Sequence, residues 1–123
     1  MASLDKSVFS TSSGNLVLII KAHGPINAID EFKFMTHFLV EFDAAILNLI
    51  QVTSIDRKGL EILADAAERT FEQTGRPLRI CNVPRKQKNL FDEREEWIIC
   101  SEEQEELEKL LDEFEPSKIG KRV

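Results

Sequence analysis

The stretch from Ala44 to Gly75 leaves a folding chain few choices, because an apolar run, a polar turn and an amphipathic segment follow one another without a gap. Residues 44–49, AAILNL, have the character of a strand buried on both faces, as in parallel sheets. Asp56 stands where a helix N-cap belongs, its carboxylate able to accept from backbone N–H groups one turn ahead. Leu60, Leu63, Ala64, Ala67 and Phe71 follow at helical spacing on one face. Gly75 suits the left-handed cap that ends a helix, and Pro77 forbids its continuation.

Arg57 and Lys58 are the local oddity, since they set two positive charges against the positive end of the helix dipole. Each costs about 0.3 kcal/mol at an exposed helix end. Either both side chains splay into water and are tolerated, or the free N–H groups and two cations make a place for an anion or an acidic partner.

The segment 52–63, VTSIDRKGLEIL, resembles the signature of STAS domains, the anti-sigma-factor antagonist family. In that family a strand and a V-T-hydrophobic-I-D turn precede S-S-G-L and a helix. Val52, Thr53, Ile55, Asp56, Gly59 and Leu60 carry the match. The two serines are replaced: Arg57 stands at the phosphate acceptor of regulated members and Lys58 at the second serine, while Ser54 falls at a hydrophobic family position. The segment G-P-I-N at 24–27 resembles the family's G-x-hydrophobic-D turn, with Asn27 in place of the usual Asp.

The rest of the chain agrees with one α/β domain over residues 1–116. Residues 7–22 predict two strands joined by the Ser12-Ser13-Gly14-Asn15 turn, the second strand ending at Gly24-Pro25. A helix is expected from about Asp30, with Phe32, Met35, Leu39 and Phe42 along one side. Phe34 and Phe38 widen that stripe; core packing accounts for them, and part exposure to a partner or a second copy is the alternative. Residues 77–83 predict a strand in which Leu78 and Ile80 alternate with a partly solvated face bearing Arg79 and Cys81.

Pro84 opens a short helix anchored by Leu90 and Phe91, and Trp97 to Cys100 forms the last strand. Ser101 and Gln104 fit a capping box ahead of a closing helix whose stripe is Leu107, Leu110, Leu111 and Phe114. Pro116 ends it, leaving residues 117–123 as a basic tail. This order implies about five strands in a mostly parallel sheet, a hairpin at one edge, and about four helices that cover one face more fully than the other.

Composition narrows the function. With 42% hydrophobic and 31% charged residues and no apolar run near the length of a membrane span, the chain reads as a soluble protein. The first residues, MASLDKSVF, hold no apolar signal core, so a cytoplasmic location is expected. Residues 92–115 hold 12 acids and 2 bases against 10 and 14 elsewhere, which reads as a solvated acidic helix face. Arg57-Lys58 and Arg85-Lys86 each follow the carboxyl end of a strand, so the four cations are expected to meet at one sheet edge. Nucleic acid is disfavoured by the net charge of −6 and the lack of an aromatic-interleaved basic stripe.

Enzymatic chemistry has little to stand on. SIDRKG replaces any Gly-rich phosphate loop, and His23 and His37 are isolated. Asp56 lacks a nucleophile or metal cluster beside it, and its capping role accounts for it. Cys81 and Cys100 lack metal-ligand spacing and are expected to be buried free thiols.

The resemblance implies a STAS-like fold and a bacterial, non-enzymatic interaction module without cofactor or metal. Its partner would be an anti-sigma factor or a related switch kinase, engaged without serine phosphorylation, with self-association into a homodimer left open. The partner-binding residues expected on this basis are Asn27, Thr53, Ser54, Asp56, Arg57, Lys58, Gly59, Glu61, Arg85 and Lys86. A sensor or carrier domain binding a small anionic ligand at the same edge is the alternative.

Overall fold

The computed structural model describes residues 2–114, so the basic tail expected at 117–123 lies outside the described residues. Five strands form one sheet in the order β1-β2-β3-β4-β5: Ser3–Ser10, Leu16–Ile26, Ala44–Ile55, Leu78–Cys81 and Trp97–Cys100. β1 and β2 pair as an antiparallel hairpin, closed by Thr11 N–H to the Asn15 carbonyl at 2.9 Å, and β2 to β5 are mutually parallel. Three α-helices follow in chain order: α1 Glu31–His37, α2 Arg57–Thr74 and α3 Glu103–Phe114. Short 3-10 helices at Ala28–Asp30 and Arg85–Leu90 complete the path. The expected mostly parallel α/β sheet with a hairpin at one edge is the architecture observed.

Spatial order follows sequence order, and right-handed crossovers between parallel strands that advance in one direction all fall on one face. That face carries α1 and α2 and buries the larger core, including Leu18, Ile20, Leu47, Leu49, Leu63, Leu78 and Ile80. The other face is left to α3, whose Leu110 is fully buried against Val17, Ala44, Ile46 and Cys81. None of the described helices is long and apolar enough to cross a membrane.

β2 does not stop at Gly24-Pro25 as its sequence suggests; it runs on to Ile26. The ladder with β3 shifts register between Lys21 and His23 and again between Gly24 and Pro25, and Gly24 takes φ 85 there. Proline is tolerated because β1 begins opposite His23, so past that point β2 has a neighbour on one side only. The same shifts leave β3 with extra residues, and Ile50-Gln51 and Thr53-Ser54 are consecutively exposed instead of alternating.

Of the expected stripe only Phe42 is buried; Phe34 and Phe38, expected to pack in the core, take the place of Phe32 and Leu39. Phe34, Phe38 and Phe42 are buried, while Phe32 and Leu39 are exposed at 71% and 63%. Both stripes keep helical spacing, so periodicity cannot choose between them. The choice is made by Asp30, wholly buried, which accepts from the Ala2 N–H at 2.8 Å, and by Lys33, which donates to the Ala2 carbonyl at 2.8 Å. α2 is likewise turned by about one residue, burying Gly59, Ile62, Leu63, Ala66, Ala67 and Thr70. Gly75 ends it at φ 72, as expected. Leu90 of the second 3-10 helix is exposed, leaving Phe91 to anchor that segment against Trp97 at 5.1 Å between ring centroids.

The expected solvated face of β4 is buried. Arg79 lies under α3, bonded to Glu106 at 3.1 Å and Glu113 at 3.3 Å, so the acidic helix is not simply a wet face. Glu103, the first residue of α3, bonds across to Asn48, and Gln104 reaches forward to Glu108 at 3.3 Å, so the capping box expected of Ser101 and Gln104 does not form. Burial works against the charged form of Glu106, but Lys109 at 3.1 Å, the Cys100 thiol and Arg79 together hold its carboxyl below the ordinary glutamate value.

A lowered folded pKa stabilises fully above the unfolded value, about 4.3, and that contribution drains away as pH falls through the folded value. Removing one partner of a buried pair costs about 3 kcal/mol. Glu106→Ala is therefore expected to lower stability by that order in urea melts at neutral pH. Its loss of stability on acidification below pH 4.3 should be shallower than the parent's.

Cys81 is buried, whereas Cys100 lies on the edge strand and is half-buried, so only the first meets the expectation of an interior thiol. The Cys81 thiol beside it and partial burial push the Cys100 thiol far up from its ordinary value. Both thiols are expected to titrate slowly with a disulfide reagent in the native state, Cys100 ahead of Cys81, and both rapidly after denaturation.

Candidate functional site: the turn from β3 to α2

Two capped turns sit side by side at the carboxyl ends of β2 and β3, where Ile26 pairs with Ile55. At the first, Asn27 caps the 3-10 helix: its side chain accepts from Ile29 N–H at 3.1 Å, and Asp30 accepts from the Asn27 N–H at 3.0 Å. At the second, Asp56 caps α2, accepting from Gly59 N–H at 2.7 Å, and its carbonyl takes the first helical bond from Leu60 at 2.9 Å. The Asp56 N–H donates to the Ile26 carbonyl at 3.3 Å and ties the turns together.

Gly59 is the point of closest approach. A Cβ built there would lie 2.2 Å from the Ile26 carbonyl oxygen and 2.9 Å from its carbon, both backbone atoms that cannot rotate away. Glycine is required for lack of space, since α2 starts directly over the end of β2. This buried contact also fixes the rotation of α2 and so decides which side of Arg57 and Lys58 faces out.

Arg57 and Lys58 are exposed on the first turn of α2, and Lys58 pairs with Glu61 at 3.2 Å across an exposed helical spacing of three. Such a pair contributes about 0.5 kcal/mol or less. No ion pair engages Arg57 among the described residues. Thr53 and Ser54 are exposed at the end of β3. Thus Asn27, Thr53, Ser54, Asp56, Arg57, Lys58, Gly59 and Glu61 do share one end of the molecule.

Arg85 and Lys86 follow a shorter strand. The β3–β4 ladder ends at Cys81 opposite Asn48, while β3 runs on to Ile55, roughly 20 Å further along. The two basic pairs therefore leave the sheet at different levels. Unequal strand lengths, which no local pattern reveals, account for the difference.

Sequence reasoning missed two exposed apolar side chains on the segment after the Asn27 turn. Ile29 and Phe32 are exposed at 67% and 71% on the segment that follows Asn27. A cleft of about 80 Å³ runs between that segment and α2, lined by Ala28, Glu31, Lys58, Glu61, Ile62 and Asp65. Its rim is mainly acidic and its one cation already has a partner, an arrangement that repels a small anion. No group of three metal-ligating side chains occurs among the described residues.

No family model matches the sequence, and no curated protein matches it. Solved structures do match. The anti-sigma-factor antagonist SpoIIAA in its unphosphorylated form aligns with a TM-score of 0.68 at 11% identity, over 88% of this chain and 97% of that one. A protein of the DUF3478 family with a SpoIIAA-like fold from Shewanella loihica gives 0.59 at 10% identity, over 89% and 95%. An anti-sigma-factor antagonist from Mycobacterium paratuberculosis gives 0.52 at 19% identity, over 72% and 75%. The fold is therefore that of the STAS, SpoIIAA-like anti-sigma-factor antagonist domains.

Gly59→Ala is expected to destabilise by about 3 kcal/mol through overpacking against Ile26. At this chain length that is a fall of roughly 10 °C in Tm. Asp56→Ala, which loses only a cap, should cost about 1 kcal/mol. Calorimetry of the two variants would show whether the close contact outweighs the cap.

Proposed function

We propose that the protein is a non-enzymatic interaction module of the anti-sigma-factor-antagonist kind, docking a regulatory protein partner through the Asp56–Gly59 turn and the start of α2. The observation that carries this reading is the turn itself: a backbone locked by the Asp56 cap and the Gly59 contact presents Arg57 and Lys58 to solvent next to the Asn27 turn, whose following segment exposes Ile29 and Phe32. A rigid surface mixing cations and large apolar side chains suits a protein partner, because little ordering entropy is lost on binding. The likeness in fold to two anti-sigma-factor antagonists supports an anti-sigma factor or a kinase-like relative as that partner.

The module works without serine phosphorylation control at position 57. A phosphate on a serine there would bring roughly −1.5 to −2 charge to the helix end, whereas Arg57 and Lys58 bring the opposite sign. To a partner, the turn resembles the unmodified state permanently. The acidic rim of the adjacent cleft disfavours a small anion in that cleft and so favours the protein-partner reading.

Replacing both Arg57 and Lys58 by glutamate should leave Tm unchanged or slightly higher, because acids suit the first helical turn. Partner capture from the source cell's lysate should weaken, most at low salt where charge is least screened. Equal capture of the same proteins by parent and variant at low salt would remove the turn as the docking site and turn attention to Ile29 and Phe32. Incubation with an anti-sigma-factor kinase should add no stoichiometric phosphate to the 53–60 peptide by mass spectrometry; phosphate at Thr53 or Ser54 would sink the unswitched reading.

A further inference from the structure

β1 is the open long edge of the sheet. Its ladder with β2 runs unbroken from Ser3 opposite His23 to Ser10 opposite Leu16, without a bulge or a proline. Its outer row of N–H and C=O groups has no backbone partner among the described residues. Every residue of the strand except Leu4 is exposed, including Val8 at 51% and Phe9 at 40%. The strand is also held in place before any encounter, since the Ala2 N–H and carbonyl at its head are bonded to Asp30 and Lys33. A straight, pre-ordered edge of this kind is a template for another strand.

Charge and symmetry select the occupant. A two-fold axis normal to the sheet sets β1 antiparallel to itself and keeps both copies of α3 on the same side. Each residue then faces either itself or one an even number of positions away. Centring on Asp5 or on Lys6 sets like charges face to face, which destabilises a sheet. Centring on Ser7 opposes no like charges: Lys6 faces Val8, Asp5 faces Phe9 and Leu4 faces Ser10. Asp5 keeps its own partner, His23, at 2.6 Å, and the aliphatic stem of Lys6 can cover Val8. Centring on Val8 also avoids like charges, but shortens the ladder to Lys6–Ser10.

The opposite edge of the sheet, β5, is only four residues long. Pairing β1 of one copy with β5 of another would continue without end, whereas β1 on β1 closes at two copies. We propose that this protein forms a two-fold homodimer through β1, centred on Ser7, joining two sheets into one.

Sedimentation velocity of the full chain over a concentration series is expected to show a monomer–dimer equilibrium. Ser7→Asp places two like charges on the axis and should weaken the dimer roughly tenfold or more, with Tm at low concentration unchanged. Ser7→Cys should give a covalent dimer under mild oxidation with copper phenanthroline, in which two Ser7→Cys thiols lose two electrons and two protons to copper and oxygen. Asp5→Cys and Phe9→Cys should give little. A chain that stays monomeric at the highest concentration reached overturns the proposal. So does a dimer indifferent to Ser7→Asp, or one that crosslinks equally at positions 5, 7 and 9.

Discussion

Much of this molecule depends on a contact in which there is no side chain. The Gly59 backbone lies against the Ile26 carbonyl so closely that a single methyl group would collide with main-chain atoms. That approach sets the angle at which α2 leaves β3 and therefore which of its residues reach the core. It also brings the Asn27 and Asp56 caps next to each other, so that one end of the sheet carries two ordered turns bonded through the Ile26 carbonyl. The exposed cations inherit their direction from this packing.

On the other face the fold relies on a charge. Arg79 is placed by β4 under α3, where it would be costly if left alone, and Glu106 and Glu113 meet it from the helix. The pair gives α3 a specific seat above a small apolar cluster that Leu110 alone fills deeply. Acidic residues that look like a uniform solvated run in the sequence thus divide into carboxylates that hold the helix to the sheet, Glu103, Glu106 and Glu113, and neighbours in water.

The order of elements, the two helix caps around Asp56 and Gly75, and the sheet's hairpin edge were legible because they are written in local signals: apolar period, a capping carboxylate and a glycine that takes positive φ. The turn's composition was equally plain, since six of the nine positions from Val52 to Leu60 carry the match. Orientation was not. Aromatic residues in 32–42 offer two equally spaced stripes, and the choice between them is made by Asp30 and Lys33 gripping Ala2, some thirty residues away. The burial of Arg79 was hidden because its partners lie in the last helix. Strand length also defeated local reading: β3 outruns β4, so the carboxyl ends of the two strands are not level as chain order alone suggests.

Because neighbouring strands in the sheet are also consecutive in the chain, the protein has an order in which it can be built. The β1–β2 hairpin needs only a short loop closure, and β3 can add to it once α1 has folded back. β4 and β5 extend an existing edge by four residues each. α3 alone must wait, because the seat it occupies is made by β2, β3 and β4 together and holds an arginine that lacks its partner until the helix arrives. During synthesis the chain would therefore pass through a state with one face finished and the other open, the buried cation of β4 still in contact with water.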